Sequence, residues 1–534
     1  MGVFTIISIQ TKSGTTIELP PSGILCVVGG NNVGKSQFLR DIPAHLNAHN
    51  GYSSTVLVEA VHFTIALNTQ SAVDWLIASS VEVTDGRAAP RYKALGGDNH
   101  IAPQDFAAMV QNSRLSGVLD WFVRKLDASD RSAIATIQAG SGNVRDRSHA
   151  LNELFRDGDL AAELSAICDK AFGFPLTLDR VNGNVMLRVG HPGMTSPPLE
   201  HPTREYSDRV ANLPPLHEQG DGVKNYLGMV LHMMTSIESV TIFDEPEAFL
   251  HPAQARALGR HLGREANKNN RQLIAATHDR DFILGLLDSK TPLTVLRINR
   301  DGDTNTFTSI DSEVIADIWA KPALRYSNLL QGLFHRIVVL CEADADCHWY
   351  RAVTDSVGEE MGVPTEEILF VPGGGKDQLP SSLMALHALQ VLVFTITDFD
   401  SLLNPRYIAS LLEAKQVRDD DLIEKVKNLA NKLTNDGRLD DAKKYGFTGV
   451  PSGNTTTSAR AIVDRLRDNN ILIVPTGELE SFDRSVGGHG PSWVSAALNK
   501  ASHESCTEAK NLVDGVVRSL AKSAGQDVSS TYGE

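Results

Sequence analysis

The residues Gly29-Gly30-Asn31-Asn32-Val33-Gly34-Lys35-Ser36 fit the pattern G-x-x-x-x-G-K-[ST], a spacing suited to holding phosphate. Glycines let the loop fold tightly, so that its N–H groups and the positive end of the next helix point at phosphate oxygens. Lys35 is expected to reach the β and γ phosphates of ATP and the Ser36 hydroxyl to hold Mg²⁺, with Gly29, Asn31, Asn32 and Gly34 lining the cradle. Asp244 and Glu245 end the apolar run Val240-Thr241-Ile242-Phe243, where Asp244 would support the metal shell and Glu245 would orient or deprotonate the attacking water. His278 follows the run Leu273 to Thr277 and is placed to sense the γ phosphate.

A second acidic set follows. Glu342 comes directly after Ile337-Val338-Val339-Leu340-Cys341, and Asp346 lies at the start of the next helix-like segment. Asp398 and Asp400 close Val391 to Thr397, and alternation along an extended segment would turn both to one side. Four carboxylates together repel one another, and hard oxygen ligands suit Mg²⁺ or Mn²⁺. Glu478 and Glu480 alternate in the same way after Ile471 to Val474; one of them completes a second metal position, or the pair is a solvated turn. Between the acidic strands lies Phe370-Val371-Pro372-Gly373-Gly374-Gly375-Lys376-Asp377, which by itself reads as a flexible connection and in this company as a loop able to approach phosphate.

The elements that must position these groups are legible as apolar runs without a polar face, the mark of strands buried in a parallel sheet. Ile24 to Val28 precedes the phosphate loop and Gln37-Phe38-Leu39-Arg40 opens a helix after it. Residues 50–210 read as an insertion, with helix-like spacing at Leu115, Leu119, Phe122, Val123 and Leu126, a break at Gly140-Ser141-Gly142, and short strands from Leu176 to Arg188 around Asn182-Gly183. A compact helical or dimerisation lobe is expected there, because no sustained heptads appear. Leu293 to Phe307 reads as a hairpin turning at Arg300-Asp301-Gly302-Asp303, Arg418 to Tyr445 as a charged helical insertion, and Gly525 to Glu534 as a polar tail.

At 534 residues the chain should form roughly two or three domains. It lacks an uninterrupted apolar stretch of about eighteen residues, and Met1-Gly2-Val3-Phe4-Thr5 lacks a charged leader pattern, so a cytoplasmic protein without a membrane span is expected. Five scattered cysteines read as reduced thiols. The net charge of −15 excludes a uniformly basic surface but leaves room for a local one, for which Arg256 to Arg271 and Lys321 to Arg336 (with Arg325) are candidates.

The string Asp244-Glu245-Pro246-Glu247-Ala248-Phe249-Leu250-His251-Pro252 with Ala276-Thr277-His278-Asp279 resembles the ABC-type ATPase domains of the SMC and overcoming-lysogenization-defect (OLD) proteins. The resemblance implies a signature loop, matched by Gln219-Gly220-Asp221-Gly222-Val223-Lys224, in which Gly220 and Gly222 contact the nucleotide of a partner subunit; a homodimer or larger even assembly follows. The loop departs from the common Leu-Ser-Gly-Gly form. Glu342 with Asp346, Gly375-Lys376, and Asp398-x-Asp400 resemble the TOPRIM fold of type II topoisomerases, primases and OLD nucleases, although Ala343 stands where glycine is usual. That likeness implies metal-assisted phosphodiester chemistry on DNA, with a late lysine, Lys500 or Lys510, as an electrostatic aid. The expected fold is α/β: an ABC/SMC-like P-loop ATPase domain over residues 1–325 with a helical insertion at 50–210, then a TOPRIM, Rossmann-like parallel-sheet domain over 329–534. The expected function is an ATP-hydrolysing, Mg²⁺- or Mn²⁺-dependent DNA endonuclease of the kind that serves bacterial anti-phage defence or DNA processing. The alternative is a non-cleaving ATPase clamp or sensor that regulates an effector protein.

Overall fold

The computed structural model describes residues 2–48, 54–83, 90–95, 97, 99–137, 139–141, 149–198, 201–310, 312–320 and 328–523. The polar tail, Gly142 of the glycine break, and Lys321 and Arg325 of the second basic stretch lie outside the described residues. The chain divides into two compact units, Met1–Val28 with Gly34–Ile298, and Gly29–Val33 with Asn299–Glu534.

The first unit opens with β1 (Phe4–Thr11) and β2 (Thr16–Glu18) and continues through β3 (Gly23–Val28), α1 (Lys35–Leu46) and β4 (Val58–Ile65). β2, β1 and β4 form a small antiparallel sheet. Later come β5 (Val123–Leu126), α2 (Ala128–Thr136), α3 (Asp221–Thr235), β6 (Val240–Asp244), α4 (Pro252–Lys268), β7 (Gln272–Ala276), α5 (Arg280–Asp288) and β8 (Leu293–Asp301). The main sheet runs β8-β3-β7-β6-β5, and every one of these pairings is parallel. All six residues of β3 are buried, as an apolar strand flanked on both sides and covered on both faces must be.

One expectation is overturned. The spacing from Leu115 to Leu126 reads as helix, yet Val123–Leu126 is a strand of the main sheet, in register with Val240–Phe243. The apolar residues before it serve another purpose: Phe122 stacks with Phe4, Trp75 and Phe106, and Leu119–Trp121 is a single 3₁₀ turn. An aromatic cluster needs the same residue types as a helix face without the helix. Residues 50–210 are therefore not a purely helical lobe. Leu176–Asp179 and Asn184–Val189 pair antiparallel around Asn182-Gly183, as their composition suggests.

Two buried polar side chains fix the local architecture. Gln272, at the start of β7, accepts from the Ile6 amide (2.8 Å) and donates to the Ile6 carbonyl (2.8 Å) and the Pro20 carbonyl (2.9 Å), tying the small sheet to the main one. Asp41 on α1 accepts from the amides of Val56, Leu57 and Val58, so the helix after the phosphate loop is anchored to the entry of β4.

The second unit contains β9 (Thr304–Ile310), which follows the expected turn at Gly302, then β10 (Ile337–Cys341), α6 (Asp344–Met361), β11 (Ile368–Pro372), α7 (Leu379–Ala388) and β12 (Leu392–Thr397). It ends with α8 (Asp420–Asn435), α9 (Asn454–Arg467), β13 (Ile471–Ile473) and α10 (Thr507–Ser523). Its four-stranded sheet, β11-β10-β12-β13, is parallel throughout. Trp349, Trp493 and Val513 pack over one face of it in a shared core. No helix among the described residues is long and apolar enough to cross a membrane.

Replacing Gln272 by leucine keeps the volume but leaves the Ile6 and Pro20 backbone groups unpaired in the interior. A loss of roughly 2–4 kcal/mol is expected in urea unfolding; a midpoint equal to that of the parent would contradict this role.

Candidate functional site

The phosphate loop turns through left-handed backbone at Gly29 (φ 149°), Asn32 (φ 59°) and Gly34 (φ 96°) before α1 starts at Lys35. Lys35 is buried. The Ser36 hydroxyl donates to Asp244 Oδ1 at 3.1 Å, so the start of α1 and the carboxyl end of β6 meet through the two side chains suited to share a Mg²⁺. This juxtaposition needs β3 and β6 in one sheet, separated only by β7.

Glu245 follows Asp244 with φ 47°, a conformation a glutamate adopts only when held. Its amide donates to the Ala276 carbonyl at 2.9 Å and its carbonyl accepts from Arg131 Nη1 at 3.2 Å. The side chain is half exposed, as a residue that must reach water and nucleotide should be. His278 Nδ1 lies 3.3 Å from Glu245 Oε1 and 3.4 Å from Glu247 Oε1. Glu247 is buried, accepts from the Thr277 hydroxyl (2.7 Å) and the His278 amide (3.1 Å), and has its pKa pushed up by burial. It therefore braces the histidine loop.

Sequence reasoning misses Arg131 and Glu247. Glu247 stands within Asp244–Pro252 but nothing in its local sequence sets it apart from its neighbours. Arg131 gives no signal, because it sits on α2 in the segment that reads as an insertion and reaches the site only through the pairing of β5 with β6. It is almost fully buried; burial lowers its pKa, and Asp244, Glu247, Asp127 and Glu245 oppose that. Of the signature pair, Gly222 is needed for close approach, since a Cβ there would come 2.5 Å from the Phe249 carbonyl oxygen. Gly220 N-caps α3, and a Cβ there would meet nothing within 4 Å.

The second set sits at the carboxyl edge of the β11-β10-β12-β13 sheet. Glu342 Oε1 accepts from the Thr397 hydroxyl and from the Asp398 amide (3.2 Å), which binds the ends of β10 and β12 together. Asp346 Oδ2 accepts from the Ala343 amide at 2.9 Å in the first turn of α6. Burial, then Glu342 and Glu480, push its pKa up to about 6. Asp398 is pushed up to about 8 by burial, Glu342, Asp346 and Asp400, with Lys376 working the other way. Glu480 accepts from the Gly490 amide at 2.7 Å and lies 2.5 Å from His489 Nδ1.

Three expectations need correction here. Asp398 and Asp400 do not alternate along a strand: β12 ends at Thr397 and Phe399–Leu403 is a 3₁₀ turn. Among the described residues no three His, Cys, Asp or Glu side chains converge on one ion position, so the four-carboxylate cage of Glu342, Asp346, Asp398 and Asp400, with Glu480 beside it, is not assembled as expected. The reason is local: Lys376 Nζ is bonded to Asp400 Oδ1 and lies 4.0 Å from Glu342 Oε1, so an ammonium group already neutralises part of the charge. The glycine loop that carries Lys376 is not slack. The Gly373 and Gly375 amides donate to the Cys341 and Glu342 carbonyls, and Gly374 and Gly375 both have φ 86°, open to glycine at little cost.

Of the late lysines, Lys500 pairs with Asp483 at 3.0 Å and Lys510 with Glu360. In the first basic stretch Arg256 and Arg260 pair with Asp288, and Arg271 bonds to the Met233 carbonyl and Ser236.

Residues 119–285 match the family described as “AAA domain, putative AbiEii toxin, Type IV TA system”. Solved structures that overlap the chain include an Smc head domain with an extended coiled coil bound to the C-terminal domain of ScpA from Pyrococcus furiosus (12% identity, 59% of this chain and 99% of that one, TM-score 0.33). An SMC head domain from Thermotoga maritima overlaps similarly (10% identity, 57% and 99%, TM-score 0.31). So does cbiO1 from Clostridium perfringens, part of the ABC transporter complex cbiONQ (12% identity, 55% and 84%, TM-score 0.27). No curated protein matches the chain. The chain carries a P-loop ATPase domain built on a parallel α/β sheet.

Lys35→Ala should abolish ATP binding in equilibrium dialysis, whereas Glu245→Gln should bind ATP normally and release phosphate at least about 100-fold more slowly. Undiminished ATP binding by Lys35→Ala would refute the loop assignment.

Proposed function

We propose that this protein is an ATP-hydrolysing, divalent-metal-dependent DNA endonuclease of the OLD type, acting in the cytoplasm as a homodimer or larger even assembly. Lys35 and Ser36, with Gly29, Asn31, Asn32 and Gly34, bind ATP; Asp244 completes the Mg²⁺ shell; Glu245 handles the attacking water; His278 senses the γ phosphate. Gly220 and Gly222 face the nucleotide of a second subunit. Glu342, Asp398 and Asp400 act on a DNA phosphodiester, Asp346 and Glu480 support them, and the second unit takes the TOPRIM role. Anti-phage defence is the biological setting such an enzyme suits.

The observation that carries the nuclease half is the carboxylate edge itself. Asp398, raised to about 8, is partly buried beside Glu342, Asp346 and Asp400 at the ends of parallel strands, a crowding of carboxylates that the one ammonium of Lys376 offsets only in part. The donors are all hard oxygens and fit Mg²⁺ or Mn²⁺, which Asp398, Asp400, Glu342 and Asp346 would hold once Lys376 releases Asp400. The ion, when bound, supplies positive charge to the phosphodiester and lowers the pKa of water. Lys376, freed from Asp400, stays beside the reacting phosphate on a loop fixed by its own hydrogen bonds.

One observation favours the second reading, a non-cleaving ATPase sensor that regulates an effector: the ammonium of Lys376 already satisfies Asp400. Incubation with supercoiled plasmid and Mg²⁺ or Mn²⁺ separates the two. The nuclease predicts nicking that disappears in Asp398→Ala and Glu342→Ala and persists in Lys35→Ala. Normal ATP turnover with no nicking under any metal or nucleotide condition would establish the sensor instead.

A further inference from the structure

A cavity of about 740 Å³ opens in the second unit beside the turn Pro475–Gly477. The turn also borders the acidic edge, because the Gly477 carbonyl accepts from the Phe399 amide, one residue past Asp398, at 2.9 Å. Arg460 and Arg467 of α9 and Arg484 line the cavity, and all three are exposed. Their side chains make no ion pair among the described residues.

Two of these arginines are held by aromatic faces. The Arg460 guanidinium lies 4.6 Å from the centre of the Phe447 ring, and that of Arg484 lies 4.7 Å from the centre of the Tyr445 ring. Stacking occupies the flat face of a guanidinium and leaves its N–H edge free, ordered in advance for the oxygens of a phosphate. Surface arginines with nothing to bind are usually paired with a neighbouring carboxylate or left mobile; these are neither. The same wall carries the Thr476 hydroxyl, buried and without a partner among the described residues.

Acids are present too. Asp514 is taken by Arg518 at 2.7 Å, which leaves Asp464 and Glu508 against the three arginines. One arginine is left in excess of the free acids, a local positive charge in a chain of net charge −15. The cavity is larger than a lone phosphate needs, and its wall at Pro475 and Thr476 runs directly into Gly477, which is bonded to the residue after Asp398.

We propose that this cavity binds the sugar-phosphate backbone of a single DNA strand, holding phosphates that flank the one presented to Asp398 and Glu342. The inference rests on the nucleic-acid reading of the acidic edge and extends it by naming the strand-holding surface. Recognition here is through phosphate and is independent of base sequence. Guanidiniums lining a cavity suit a flexible single strand, which can bend into it, better than a duplex of fixed width.

The test is fluorescence anisotropy of a labelled oligothymidylate with the full chain in EDTA, repeated across salt concentrations. Arg460→Gln and Arg484→Gln are each expected to weaken binding about tenfold and to flatten the plot of log K against log salt by about 0.7 for each phosphate no longer neutralised. Glu508→Gln should tighten binding, a sign that misfolding cannot imitate, and Arg460→Lys should restore the salt slope. Thermal unfolding midpoints report whether each variant is folded. No binding by the parent protein, unchanged affinity and slope in both arginine variants, or tighter binding of an oligothymidylate–oligoadenylate duplex would overturn the proposal. Because cutting is not read, a protein that binds the strand through these arginines yet never nicks DNA would defeat the endonuclease reading alone.

Discussion

A strand buried on both faces of a parallel sheet has no place for a charge except at its ends, and both charged clusters of this protein obey that constraint. β3 is apolar and buried along its whole length, and the phosphate loop begins at the next residue. β6 delivers Asp244 at its last position and β10 delivers Glu342 immediately beyond its last. Because parallel strands all point the same way, their ends gather the charged residues on one edge, where helix N-termini also arrive. The architecture thus concentrates charge without placing any of it in the core.

Concentrated charge has to be compensated, and the two sites do so differently. At the first, Arg131 lies among Asp244, Glu245 and Glu247, and Ser36 bonds to Asp244, so the acids are stabilised by fixed partners before any nucleotide arrives. At the second, Lys376 reaches Asp400 from a glycine loop pinned to the end of β10, but Asp398 and Asp346 keep raised pKa values. The compensation there is partial. Under the proposed function a divalent cation would have to take from Lys376 the oxygens that it now holds.

Motifs whose chemistry is local were legible in the sequence. The phosphate loop, the Asp244-Glu245 strand end and the apolar runs of the second sheet follow from adjacent residue types, and the elements found match them. What escaped depends on partners distant in the chain. Val123–Leu126 reads as helix until β6 offers it a parallel partner, and only that pairing brings Arg131 to Glu245. Arg256 and Arg260 read as a basic face until Asp288 folds against them. The Asp398-x-Asp400 alternation assumed that the strand continued, whereas the chain turns at Phe399. In each case residue type was informative and its use was set by a tertiary contact.

The proposed function requires that the carboxylates at the β10 and β12 ends take up a cation at a place distinct from the nucleotide site. Calorimetric titration of Mn²⁺ into nucleotide-free protein tests it most directly. The account predicts a binding event that survives Ser36→Ala and is lost in Asp398→Asn; a titration identical in the Asp398→Asn variant and the parent protein would contradict it.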